Sequence, residues 1–245
     1  MALWTWWPGD ALPPLRPIEG FRARTSAETA RLTRLTGLDA REIQARLDAG
    51  HRCYVAHLTD VAVAYGWVAS HGASIGELSL EFRLAESGRY LWDFVTLPAR
   101  RGRGVYPHLL QHILRTEGLA ECRFWIVNAP ENVASAKGIS KAGFRVVGDL
   151  AFTRDGRPGI APTGDPVQAG IGAALLGVPL VDAKTSDGVS PCWCCIMDAL
   201  SRGARATACW PAGALAGGAC TCGCQESEPD AARSPSDRVG TTPHH

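Results

Sequence analysis

The sequence predicts an α/β (α+β) domain built on one mixed sheet flanked by helices. Three observations predict it. Stretches of period two and stretches of helical period succeed one another several times between residues 19 and 153. Two early helical stretches open on capping patterns and close on glycine. Residues 124–127 form a continuous apolar run, which suits a strand buried on both faces.

Taken in order, residues 21–24 read as a short strand. Thr25 with Glu28 makes a capping-box pattern, followed by Leu32 and Leu35 at helical spacing and a stop at Gly37. Asp39 with Glu42 repeats the device, with Ile43 and Leu47 on one face and Gly50 as the stop. Residues 53–58 and 61–69 read as strands joined by a turn at Thr59-Asp60. Residues 77–84 alternate: Leu78, Leu80, Phe82 and Leu84 face one way, Glu77, Ser79, Glu81 and Arg83 the other. Residues 90–97 make a further strand ending at Pro98. A helix over 105–115 carries Leu110, Ile113 and Leu114, with Pro107 in its first turn, where a missing N–H costs nothing. The strand at 124–127 follows, then a helix over 132–141 stopped by Gly143, then strands at 144–147 and 150–153.

Composition sets the boundaries. The 25 Lys+Arg nearly balance the 24 Asp+Glu in 245 residues, a net charge of +1. That excludes a bulk electrostatic claim on nucleic acid or an anionic membrane. No secretory segment is expected, and the longest charge-poor run, 166–181, is interrupted by Gly170, Gly172, Gly177 and Pro179. The expectation is a cytoplasmic protein, monomer or homodimer, with neither nucleic acid nor membrane as a partner. Residues 1–18 read as an N-terminal extension, 19–153 as the folded domain, and 154–245 as a low-order tail. Residues 183–245 contain only five Leu, Ile, Val or Phe, too few to offset the entropy of ordering them.

Seven of the 9 cysteines lie in that tail: Cys192, Cys194, Cys195, Cys209, Cys220, Cys222 and Cys224. Cys-x-Cys units occur in thiolate-rich metal clusters, but no Cys-x-x-Cys pair is followed by another at ribbon spacing. The tail is thus open to three readings: disorder, metal binding, or a shifted reading frame of GC-rich DNA. No metal ligand is assigned.

The most informative stretch is Arg101-Gly102-Arg103-Gly104-Val105-Tyr106, between a strand and a helix. Glycines let the backbone approach a ligand, the helix start offers unpaired N–H groups, and Arg100, Arg101 and Arg103 add charge. Such a site suits phosphate or pyrophosphate; a basic turn capping a helix is the plainer alternative. Neither a Walker A loop nor a dinucleotide fingerprint is present.

With residues 95–98 leading into Arg101, Gly104 and Tyr106, and with Asn132, Ser135, Lys141, Gly143 and Phe144 at matching spacing beyond, residues 19–153 resemble the GCN5-related N-acetyltransferase family. The resemblance implies acetyl-CoA as acyl donor. It implies that the backbone of Val95, Thr96 and Leu97 pairs with the pantetheine arm, and that the backbone from Arg101 through Gly102, Arg103, Gly104 and Val105 to Tyr106 cradles the pyrophosphate. Asn132 and Ser135 would meet the arm from the other side. The sequence departs from the family twice. Tyr106 stands where Gly or Ala is usual, and Ile139 stands where many members place an acidic Tyr.

Transfer to an amine needs a neutral amine, hence a base or a desolvating pocket. Asp93, mid-strand among apolar neighbours, and Glu81, on a polar strand face, are the candidates; both also fit purely structural roles. His108 and His112 share a helix face with no third ligand in view. The implied activity is N-acetyl transfer to a small-molecule or protein amine. The alternatives are a non-catalytic acyl-CoA-binding or interaction module, and a metal-binding protein acting through the cysteine tail.

Overall fold

The strands order into one eight-stranded sheet and one small hairpin. The computed structural model describes residues 1–153 and 157–182; the cysteine-rich segment lies outside the described residues. The elements are β1 (Ala2–Trp6), β2 (Phe21–Ser26), α1 (Thr29–Thr36), α2 (Ala40–Asp48), β3 (Arg52–Leu58), β4 (Val61–Ala69), β5 (Gly72–Ile75), β6 (Leu80–Arg83), β7 (Gly88–Thr96), α3 (Val105–Glu117), β8 (Arg123–Asn128), α4 (Val133–Lys141), β9 (Arg145–Phe152), β10 (Pro158–Pro162) and α5 (Pro166–Leu176). The main sheet runs β10-β9-β1-β8-β7-β4-β3-β2, and β5 pairs with β6 separately. All pairs within the main sheet are antiparallel except β7 with β8. The fold class is therefore the expected one, a mixed sheet flanked by helices.

Helices cover both faces. On one face α3 and α4 bury Val105, Leu109, Ile113 and Ile139 against Tyr54, Leu91, Phe124 and Ile126. On the other, α1 and α2 bury Leu32 and Ile43 against Cys53, Val55, Tyr65 and Trp67. On that second face α5 and the hairpin also pack, around Leu3, Phe82, Trp125 and Val147. Asp39 caps α2 by accepting the Glu42 N–H at 2.8 Å. The Thr25–Glu28 pattern is not used: Thr25 lies inside β2, and α1 starts at an N-cap Glu28 with no side-chain cap.

Three expectations change. Ala2–Trp6, expected within an extension, is a central strand between β8 and β9. Residues 77–84 are not one strand. Gly76–Leu78 is a 3-10 turn, Ser79 takes a left-handed φ of +50°, and only Leu80–Arg83 is extended, paired back on Gly72–Ile75. The alternation did report burial, since Leu78 and Phe82 are buried, but not strand membership. Finally, regular structure continues past residue 153. β10 pairs with β9, and α5 begins at Asp165, whose side chain accepts the Val167 and Gln168 N–H groups. No helix among the described residues is long and apolar enough to cross a membrane.

Candidate functional site

Strands β7 and β8 run side by side only over Gly88–Leu91 and Arg123–Ile126. Beyond Leu91 the edge of β7 that faces β8 has no strand partner among the described residues. The divergence starts at a bulge. Tyr65 of β4 pairs with Val95 and Trp67 with Trp92, so three steps along β7 answer two along β4. Asp93 absorbs the extra residue in the left-handed region, at φ +49°. The bulge re-aims the side chains: Asp93 reaches Arg46 of α2, while Phe94 packs with the α3 face and against Tyr106. The Phe94 ring lies directly over Gly66, where a Cβ would fall 2.1 Å from it.

The free edge of β7 forms one wall of a cleft of about 520 Å³. Phe94, Val95 and Thr96 supply that wall. Arg100, Arg101, Gly102, Gly104, Val105 and Tyr106 supply the mouth, and Asn132, Ala134, Ser135, Lys137, Gly138 and Lys141 of α4 supply the opposite side. Gly102 and Gly104 have φ of +74° and +77°. Nothing crowds either position closely, so glycine is there for its backbone conformation and not for space. Gly104 is the N-cap of α3 and supplies no side-chain cap, which leaves the first N–H groups of a 13-residue helix open toward the cleft. Arg100, Arg101, Lys137 and Lys141 add four cations. Arg101 Nε also donates to the Thr96 carbonyl oxygen at 3.1 Å and so braces the end of β7. This arrangement suits a ligand with a strongly anionic head and a narrow polar arm able to pair with a strand edge.

Most of the residues expected at the site meet here: Val95, Thr96, Arg101, Gly102, Gly104, Val105, Tyr106, Asn132 and Ser135 all line the cleft. Leu97 and Arg103 belong to the same segment without lining it. The Leu97 N–H is committed to the Val63 carbonyl oxygen at 2.9 Å, and Arg103 is exposed. Asn132 accepts the Ser135 N–H at 2.9 Å and so caps α4 as well. Tyr106 crosses from α3 to α4, its hydroxyl 3.4 Å from Ser135 Oγ. Burial pushes its phenol well above the ordinary range, so it stays protonated. Ile139 is fully buried in the core and offers no proton.

The two carboxylates separate. Asp93 adjoins the cleft wall on β7, although its side chain lies on the α2 face. Glu81 lies exposed on β6, opposite Ser74, and does not line the cleft. His108 Nδ1 contacts the Gly104 carbonyl oxygen at 2.8 Å, and no cluster of His, Cys, Asp or Glu among the described residues is arranged to hold a metal. Sequence reasoning missed Lys137, Gly138 and the cleft-facing role of Lys141. Their signal was a single helical stripe with Ala134, at i, i+3, i+4 and i+7.

No protein-family model matches the chain, and no curated protein matches it. Comparison with solved structures finds chains that are partly similar to it. A GCN5-related N-acetyltransferase from Kribbella flavida is 15% identical over 59% of this chain and 53% of its own, with a TM-score of 0.37. An acetyltransferase of the GNAT family from Colwellia psychrerythraea is 14% identical over 59% and 52%, with a TM-score of 0.41. AAC(6')-Iy, solved with the bisubstrate analog CoA-S-monomethyl-acetylneamine, is 20% identical over 55% of this chain and 97% of its own, with a TM-score of 0.42. The chain thus spans about half the length of the Kribbella and Colwellia proteins.

Proposed function

We propose that the chain is an acyl-CoA-dependent N-acyltransferase of the GNAT kind, moving an acetyl group from acetyl-CoA to a primary amine held in the same complex. The observation that carries this reading is the convergence of two features on one cleft: the uncapped start of α3 and the unpaired edge of β7. Pyrophosphate fits the first, through open N–H groups, left-handed glycines and the cations of Arg100, Arg101, Lys137 and Lys141. An amide-bearing arm fits the second, as an added strand along Val95 and Thr96. The substrate brings the activated acyl group.

The protein's own residues would then bind and orient. Backbone N–H groups at the Asp93 bulge, beyond the stretch where β7 pairs with β8, would donate to developing negative charge. Asp93 would sit on the acceptor side, in contact with Arg46. The Tyr106 and Ser135 hydroxyls, 3.4 Å apart, are two of the protonated donors that line the cleft, and Ile139 supplies none. The acceptor would be a small-molecule or protein amine.

Turnover of labelled acetyl-CoA against an amine panel, read by mass spectrometry, tests this reading. Acetylated amine is expected, and Gly104→Glu, which places bulk and negative charge at the helix start, should abolish CoA binding. A wild-type chain that neither binds CoA nor is stabilised by it overturns the reading. The fully buried Ile139 favours one second reading, a CoA binder that turns over no amine, and the same panel distinguishes the two.

A further inference from the structure

On the sheet face opposite the cleft, a cation already sits in a box of aromatic rings and a carboxylate. The Arg46 guanidinium lies 4.4 Å from the Trp92 ring centroid and 5.1 Å from that of Trp67, and its Nη1 bonds Asp93 Oδ2. Asp93 is presented there only because the β7 bulge holds it at φ +49°. Among the described residues three non-glycine positions have a left-handed φ, and Asp93 is the one that adjoins the cleft wall. Asp93 retains 29% exposure, and its Oδ1 makes no hydrogen bond among the described residues.

Three features show what the box selects. First, its charge is negative. Arg46 is matched by Asp93 and also by Glu42, 2.7 Å away, and burial lowers the His51 pKa, which keeps that ring neutral beside Trp92. Two carboxylates and one guanidinium leave a net −1. Second, indole faces attract cations and not anions. Third, Arg46 has somewhere else to go. Glu42 lies one turn back on the same helix and is 46% exposed, so the guanidinium can leave Asp93 without losing its charge partner.

We infer that this box docks the acceptor through a cationic group other than the attacked amine, an alkylammonium or guanidinium that takes the place of Arg46 at Asp93 and Trp92 while Arg46 falls back on Glu42. The inference rests on the proposed acyl transfer for the word acceptor, but the site is defined by its own chemistry. It rejects acceptors bearing a carboxylate or phosphate next to that cationic group, because those would meet Asp93 and Glu42.

The test is equilibrium binding to the full chain, by calorimetry and tryptophan fluorescence, with 1,4-diaminobutane and methylguanidine as cations and butyrate as anion. CoA binding is measured on the same samples. The cations should bind and butyrate should not. Asp93→Asn should weaken the cations by about tenfold, as loss of one partly desolvated ion contact does. Arg46→Met, which keeps the stem's packing over the indoles, should tighten them several-fold by removing the internal competitor. Trp92→Phe, a conservative second probe of the box, should weaken them without affecting CoA. Failure of the cations to bind, butyrate binding lost in Arg46→Met, or cation affinity unmoved by Asp93→Asn and Arg46→Met overturns the inference. If the cations fail while CoA binds, only this inference falls. If CoA fails while the cations bind, the acyl-transfer reading falls and the cation site stands.

Discussion

The ring of Tyr106 occupies the space a side chain at Gly138 would need: a Cβ built on Gly138 falls 2.4 Å from Tyr106 Cδ1 and 3.0 Å from Cε1. Tyr106 belongs to the first turn of α3 and Gly138 to the middle of α4, so the contact sets how closely the two walls of the cleft approach. Gly138→Ala should force the ring out of place and destabilise the fold by about 1–3 kcal/mol, the usual cost of overpacking. Tyr106→Phe keeps the ring and should leave stability within about 0.5 kcal/mol. Combining Gly138→Ala with Tyr106→Ala should recover part of the loss. Denaturant midpoints of the wild type, Gly138→Ala, Tyr106→Phe, Tyr106→Ala and the double variant check this, and a fully additive double variant would contradict the contact.

At the helix start the cost is of a different kind. A Cβ on Gly104 meets nothing nearer than Ile18 Cδ1 at 3.7 Å, so Gly104→Ala is penalised through its φ of +77° alone. The expected loss is about 1–2 kcal/mol. Gly104→Asn should lose less, because Asn tolerates the left-handed region. Thermal unfolding of the two variants gives the order; equal losses would mean that space, not conformation, selects glycine here.

Acid should weaken the fold in two steps. Burial lowers the pKa of His57, helped by Arg31 and Arg24, and also that of His112, helped by Arg115. A histidine whose folded pKa lies below its unfolded value is neutral in both states at high pH. As pH falls below about 6.5 the unfolded chain takes up the proton first, and stability drops. Glu117 supplies the second step. Burial alone would raise its pKa, but hydrogen bonds from Arg52 and Tyr54, the Arg52 charge and a hydrogen bond from Arg89 more than reverse this and leave it lowered. Its side chain is 5% exposed and also accepts the Tyr54 hydroxyl at 2.6 Å and Arg89 Nε at 2.9 Å. That stabilisation is complete above the unfolded carboxyl value of about 4.5 and is lost as pH falls through the lower folded value. Glu117→Gln should cost about 1–3 kcal/mol at neutral pH, since it takes the carboxylate from two partly exposed arginines and the Tyr54 hydroxyl, and should flatten the lower step only. Urea midpoints measured from pH 8 to pH 3 separate the two windows.

What could be read from the sequence was local. The cleft's glycines, the helix that follows them and the Asn132 cap are each written in adjacent residues, so local spacing marked the turn, the helix and the cap, while their assignment to one site came from the family resemblance. The missed parts depend on distant partners. Ala2–Trp6 is only five residues long and finds its neighbours at Phe124–Asn128 and Arg145–Asp149, more than 100 positions away. The Asp93 bulge is invisible because an Asp in an apolar strand gives no hint of its φ. α5 carries apolar and small residues all round, so it lacks the amphipathic period that marks a surface helix, although Asp165-Pro166 is a sound start signal. Gly138 was legible as a residue but not as the seat of an aromatic ring from another helix.

The two ends of the described chain meet at Leu3 and Gly172. Leu3 is fully buried in β1, and a Cβ on Gly172 of α5 would fall 2.7 Å from Leu3 Cδ2 and 3.2 Å from Trp125 Cζ3. If residues 1–18 and 154 onward were appendages, changes at these positions would leave stability within about 0.5 kcal/mol. The packing requires otherwise. Leu3→Ala should cost about 2–5 kcal/mol through lost burial and the cavity left behind. Gly172→Ala should be destabilising alone, because Leu3 and Trp125 are both in the way. In the double variant the new methyl enters the space Leu3 vacated. Its loss of stability should therefore fall short of the sum of the single losses by about 0.5–3 kcal/mol, the range for residues in contact. Strict additivity in that cycle would separate α5 from the central strand.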